Sequence, residues 1–186
     1  MSLTRDLIAD DIKLVLIDQK NMQVYINLAR SYEAEFSSLT HKVPNDEGIF
    51  EPDTIPLNPY VGYLLYKSKT PIGFCVAELS NEMYDVAEFY IIPSMRKNKF
   101  GYHMATSVFD KHAGSWQVRQ IEGAENAKAF WRKIISQYTG NEYVEAVVND
   151  EDWGVVTRQR FASTALRSQE NKQVLLSDLL SPRKIK

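Results

Sequence analysis

The sequence predicts an α/β protein, a mixed sheet packed by helices. Three observations carry that expectation. Strand-like segments lead the chain, helical segments fall between strands in its later part, and one of those helices has a strong apolar face at helical spacing.

The elements follow in order. Ile12 to Ile17 reads as a short first strand. Met22, Tyr25, Leu28, Ala29, Tyr32 and Phe36 then recur at helical spacing, with Asp18 or Asn21 available as the cap. From His41 to Pro59 the chain reads as a loop, with Pro44, Gly48, Pro52, Pro56 and Pro59 as breakers. Tyr60–Lys67 and Pro71–Ser80 form an expected hairpin turning at Ser68-Lys69, and a third strand, Tyr84 to Ile92, stops at Pro93. The basic loop Arg96-Lys97-Asn98-Lys99 opens a helix that carries Met104, Ala105, Val108 and Phe109 on one face and ends near Gly114. Trp116 to Ile121 is the next strand. Ala127, Phe130, Trp131, Ile134, Ile135 and Tyr138 make the strongest amphipathic helix. Tyr143–Val148 and Val155–Phe161 are the closing strands, around an acidic turn containing Gly154. One domain is expected over 1–162. The tail, 163–186, gathers its apolar residues at Val174, Leu175, Leu176, Leu179 and Leu180, a candidate docking helix.

Composition narrows the function classes. At 186 residues the chain is long enough for a sizeable core, and 44% hydrophobic with 25% charged residues is ordinary for a globular protein. A formal net charge of −2 disfavours general nucleic-acid binding, despite Arg96, Lys97, Lys99, Arg132 and Lys133. Cys75 is the single cysteine, so no internal disulfide can form. No apolar run approaches the ~20 residues that span a bilayer, and a cytoplasmic protein is expected. His41, His103 and His112 share no ligand spacing with carboxylates or Cys75, so no metal site is expected, and no hydrolase-type nucleophile motif is present.

The chemistry-bearing segment is Glu88 to Gly101, EFYIIPSMRKNKFG. A strand ends, a basic loop follows and a helix begins at Phe100-Gly101. Backbone N–H groups of the loop and first helical turn, with the helix dipole behind them, would make a pocket for a phosphate or pyrophosphate; a solvated basic turn is the equal alternative.

The order strand, Pro93, Arg96, Gly101, helix resembles the acetyl-coenzyme A signature of the GNAT superfamily of N-acetyltransferases, whose loop pattern is Arg/Gln-x-x-Gly-x-Gly/Ala. Arg96 matches the first position and Gly101 the last; Lys99 stands where the middle glycine belongs. The strand from Trp116 and the helix bearing Asn126, Phe130 and Trp131 fall where the family places a strand and an Asn- and aromatic-bearing helix. The resemblance covers roughly 11–161. It implies the GNAT fold, a mixed, mostly antiparallel central sheet of about six or seven strands flanked by helices. It also implies transfer of an acetyl group from acetyl-CoA directly to an amine acceptor in a ternary complex, by a monomer or homodimer acting away from membranes. A non-catalytic acyl-CoA-binding module on the same fold is the alternative.

The resemblance also assigns roles. The strand before the loop splays from its neighbour, so Phe89, Tyr90 and Ile91 would meet the pantetheine arm, with the Ile91 amide holding the oxyanion. Arg96, Lys97, Asn98, Lys99, Phe100, Gly101 and Tyr102 would hold the pyrophosphate, and Asn126 and Phe130 would line the cofactor. Lys99 would be strained by about 1–2 kcal/mol if its position needs a positive φ. Glu88 is the candidate general base, sharing a face with Tyr90 and Val86 unless a bulge intervenes. The Tyr that many members use to protonate the thiolate is replaced here by Phe130-Trp131. The indole is no useful acid. Tyr90 or Tyr138 would serve instead, or the thiolate leaves unprotonated. Arg119 and Glu122 flank the next strand's end. The acceptor pocket would come from 32–59 and 149–154, where Glu33, Glu35, Asp46, Glu47, Glu51, Asp53, Asp150, Glu151 and Asp152 offer acidic walls to a cationic amine.

Overall fold

The computed structural model of the protein describes residues 11–80 and 83–163. Residues 81–82 and the expected docking helix of the tail lie outside them.

Among the described residues, seven strands and three α-helices follow in the order β1 (Ile12–Leu16), α1 (Met22–Thr40), β2 (Tyr60–Lys67), β3 (Thr70–Ser80), β4 (Met83–Ile91), α2 (Phe100–Lys111), β5 (Ser115–Ile121), α3 (Glu125–Thr139), β6 (Val144–Asp150) and β7 (Gly154–Ala162). They form one sheet ordered β1-β2-β3-β4-β5-β7-β6. Every neighbouring pair is antiparallel except β4 and β5, which run parallel because α2 crosses between them. The mixed, mostly antiparallel sheet flanked by helices is therefore as expected.

Each face of the sheet has its own cover. On one side, Met104, Val108 and Phe109 of α2 and Trp131, Ile134 and Ile135 of α3 pack on Cys75, Val86, Trp116, Val118 and Phe161. On the other, Tyr25 and Ala29 of α1 pack on Leu64, Phe74, Val76 and Tyr90. Asn21 stands at the N-cap position of α1 without capping it. Its amide instead ties the preceding turn, accepting from the Asp18 N–H and donating to the Leu16 carbonyl. Asp18 receives the Lys20 N–H. The two candidate caps thus build the β1–α1 turn.

Two features of β4 set up the site. First, its register against β3 slips between Val76 and Ala77: Val76 faces Glu88 while Ala77 faces Val86, so Ala87 is an unpaired bulge. Alternation predicts Glu88 and Val86 on one face. The bulge separates them, leaving Val86 in the core under α2 and α3 while Glu88 and Tyr90 turn to the α1 side. Second, β4 pairs with β5 only from Met83 to Val86, although both strands continue. Beyond Val86 they part, and β5 runs on against β7 alone.

Candidate functional site at the parting of two strands

The parting exposes one edge of β4. Ile92 N–H donates to Ile72 O at 3.0 Å, which makes residues 72 and 92 a hydrogen-bonded pair. Alternation along the ladder then gives Tyr90 its bonds to Phe74, and turns the N–H and C=O groups of Phe89 and Ile91 away from β3, toward β5. Among the described residues, no strand pairs with that edge past Val86. Gly73 lets β3 and β4 close on each other here: a Cβ at that position would stand 2.3 Å from the Tyr90 carbonyl oxygen.

The chain then enters a 3₁₀ turn, Pro93–Met95, and the basic loop. Lys97 and Lys99 both adopt the left-handed conformation, with φ of 64° and 62°. Position 99 is where the family pattern has glycine, so the strain expected of Lys99 is present, and Lys97 adds a second instance that the pattern did not flag. Lys99 is the N-cap of α2 and makes no side-chain cap. Among the described residues the N–H groups of Phe100, Gly101 and Tyr102 are therefore left for another acceptor, with no acidic residue in the first turn to oppose an anion. That uncapped, basic helix start, beside an unpaired strand edge, fits a pyrophosphate followed by an amide-bearing arm.

The other expected cofactor residues divide. Gly101 has a helical backbone, and its lack of a Cβ serves packing: a Cβ would lie 2.9 Å from the Phe130 ring. Phe130 and Phe89 rings stand 5.5 Å apart, and Phe89 meets Trp131 edge-on at 4.9 Å. Trp131 is core and Phe130 is half-buried. Asn126 is exposed in the first turn of α3. Arg96 is engaged within the protein. Its Nε donates to Ile91 O at 2.8 Å, its two terminal nitrogens grip the Glu35 carboxylate at 2.7 and 2.8 Å, and its guanidinium lies over the Tyr90 ring. Arg96 thereby ties the loop to α1.

Neither substitute tyrosine is placed to protonate a thiolate at the strand edge. Tyr90 turns its ring into the α1-side core against Phe74 and Tyr32. Tyr138 bonds Asp110, close to the far end of α2, on the order of 15 Å along that helix from the loop.

Glu88 is the most heavily perturbed carboxyl at the site. It is 5% exposed, and its Oε2 accepts the Tyr25 hydroxyl at 2.8 Å. Oε1 is buried and makes no hydrogen bond among the described residues. Burial raises its pKa to about 7; the Tyr25 and Thr54 side chains favour the ionised form, while the charges of Glu33 and Asp53 oppose it. Burial also pushes the Cys75 thiol up to about 12, which leaves it unreactive as an acyl carrier.

Tyr25 of α1 and Lys42 of the 41–59 loop are residues that the sequence alone did not place at the site. Glu33, 2% exposed, is held by Lys42 at 3.0 Å, and Lys42 also bonds Asp53 at 2.6 Å and the Glu51 carbonyl. Of the acidic residues expected to wall the acceptor site, Glu35 pairs with Arg96, Glu51 with Arg30 and Asp150 with Arg119. Arg119 also binds Asp85 at 2.7 Å, where the two strands begin to part. Glu122 is exposed on the turn before α3. Among the described residues, no helix is long and apolar enough to cross a membrane.

No family model matches the sequence, and no curated protein matches it. Solved structures match its fold. A ribosomal-protein α-N-acetyltransferase in complex with coenzyme A superposes with a TM-score of 0.58 at 7% identity, over 85% of this chain and 97% of that one. Spermidine N-acetyltransferase from Vibrio cholerae gives 0.55 at 11% identity, over 87% and 98%. A ribosomal-protein-alanine N-acetyltransferase from Escherichia coli gives 0.54 at 8% identity, over 82% and 94%. At such identities the likeness carries the fold, and the fold is that of the GNAT N-acetyltransferases.

Proposed function

We propose that this GNAT-fold chain is an N-acetyltransferase that carries the acetyl group of acetyl-CoA directly to a primary amine. The observation that supports it most is the pairing of two features at one strand end: an unpaired β4 edge beyond Val86 and an uncapped, basic α2 start. Bound acetyl-CoA would supply the activated thioester. Phe89 and Ile91 would present backbone amides to its arm, with the Ile91 N–H meeting the charge that develops on the carbonyl oxygen. The amides of residues 97–102 and the ammonium groups of Lys97 and Lys99 would hold its phosphates. An ammonium acceptor must lose a proton before it attacks, and Glu88, half-ionised near neutrality, is matched to accept it. Because both its oxygens are shielded, the proton reaches Glu88 through water or after the 41–59 loop shifts.

A second reading, a non-catalytic acyl-CoA-binding module, draws on the same shielding and on the absence of a tyrosine at the thiolate position. Calorimetry with acetyl-CoA and thiol release against a panel of amines separate the two. The catalytic reading expects binding, turnover, and a loss of at least about 100-fold in kcat for Glu88→Gln with little change in coenzyme A affinity. Binding without turnover favours the module, and no binding removes both.

A further inference from the structure

We propose that Tyr25 is a positioning residue for Glu88, moving its one hydroxyl proton between the Glu88 carboxylate and the Thr54 carbonyl so that the charge of Glu88 decides how the 41–59 loop is fastened. The inference rests on Glu88 being the proton acceptor of the reaction proposed above.

The geometry presents a choice. Tyr25 is fully buried, and its hydroxyl lies 2.6 Å from Thr54 O and 2.8 Å from Glu88 Oε2. A phenol has one proton to donate and here has two acceptors. An ionised carboxylate is the stronger acceptor and takes the proton, leaving the Thr54 carbonyl without it. A protonated carboxyl is a weaker acceptor than an amide carbonyl, so the proton then turns to Thr54. Proton balance is kept: the amine's proton arrives on Glu88, and the Tyr25 proton changes partner without leaving its oxygen. The phenol itself does not ionise, since burial and the charge of Glu88 hold its pKa well above the usual range.

The consequence runs to the loop. With Glu88 ionised and ready to accept a proton, the Thr54 carbonyl loses its bond to α1, and the Thr54 side chain, which favours ionised Glu88, is what ties that residue to the site. Once Glu88 is protonated, Tyr25 fastens Thr54 again. The rest of the loop stays anchored by Lys42, which bonds Glu33, the Glu51 carbonyl and Asp53. The groups that face Glu88 are Tyr25, Tyr32 and Glu33 from α1, Asp53 and Thr54 from the loop, Tyr60 from β2 and Cys75 from β3. Of these, Tyr25 alone has a single atom bonded both to Glu88 and to the loop backbone.

The test uses carbon-13 spectroscopy on the full chain, with the Glu88 carboxyl signal assigned by its loss in Glu88→Gln. In the wild type, the Thr54 carbonyl and Tyr25 Cζ signals should shift with the same midpoint as Glu88. In Tyr25→Phe, which keeps the edge-on ring contact with Phe74, the Glu88 midpoint should rise by about one unit, tenfold in proton affinity. The acidic limb of kcat/KM should rise with it while coenzyme A affinity holds. A Thr54 carbonyl signal that stays fixed while Glu88 titrates overturns the proposal, and it does so in the wild type, whether or not the variant folds. An unmoved Glu88 midpoint in a folded Tyr25→Phe overturns it too. Lack of turnover on every amine would instead count against the catalytic reading, because the spectroscopic result stands without activity.

Discussion

Glu88 shows how one bulge changes a residue's chemistry. Had β4 kept a regular pleat, its side chain would have shared a face with Val86, in the core beneath α2 and α3. The extra residue at Ala87 turns it toward α1 instead, where Tyr25 meets it and Glu33 and Asp53 add like charge. Its folded pKa, about 7, lies above the ordinary 4.5 of a glutamate, so folding favours the protonated form. The sign follows from that order. The group's contribution to stability is full below about pH 4.5 and fades as pH rises through 7, a difference of about 3 kcal/mol. Glu88→Gln has no proton to lose there. Relative to wild type it should gain about 3 kcal/mol between pH 4.5 and pH 8.5 in urea unfolding. Parallel stability curves for the two proteins would mean that Glu88 is ionised in the fold at neutral pH.

Among the elements, the 93–99 segment departs furthest from the pattern it resembles. Two lysines adopt left-handed backbones that glycine takes without cost. Lys99→Gly should relieve about 1 kcal/mol of strain, partly offset by the greater freedom of glycine in the unfolded chain. If the Lys99 ammonium meets a phosphate, the same change should weaken coenzyme A binding several-fold while Tm holds or rises. Tighter binding after the substitution would assign Lys99 a purely obstructive role. The middle position of the pattern was legible as a mismatch in the sequence, and the structure gives it its conformation. The elements themselves were nearly all legible, because the aromatic and apolar run of Tyr60–Lys67 and the helical spacing from Ala127 to Tyr138 are local properties. The bulge at Ala87, the grip of Arg96 on Glu35 across 61 positions, and the meeting of Tyr25 with Glu88 across 63 were not legible. Each is set by tertiary pairing, which leaves no periodic trace in the chain.

At the scale of the whole molecule the sheet is two antiparallel units, β1–β4 and β5–β7–β6, joined by a parallel contact of four residue pairs. Helices α2 and α3 pack together across both units on one face, and on the other Arg119 of β5 bonds Asp85 of β4. Beyond that short join, among the described residues, the backbone groups of Phe89 and the N–H of Ile91 lack a strand partner, a state that a bound chain of amides can relieve, while the Ile91 carbonyl is held by Arg96. A ligand seated there would bridge the two units, so its effect should extend past its own contacts. Amide hydrogen exchange can read this residue by residue. In the free protein the Tyr90 amide, bonded within the β3 ladder, should exchange far more slowly than those of Phe89 and Ile91. Saturating coenzyme A should slow Phe89 and Ile91 selectively and leave Tyr90 limited by global opening. At 100 times its Kd the ligand should also raise global stability by about 2.7 kcal/mol, slowing β5 and β4 amides together. Protection confined to the 97–102 amides would mean that the phosphates bind at the helix start while the arm lies outside the parting. That result would move the reaction center away from Ile91 and Glu88 while leaving the fold and the coenzyme site intact.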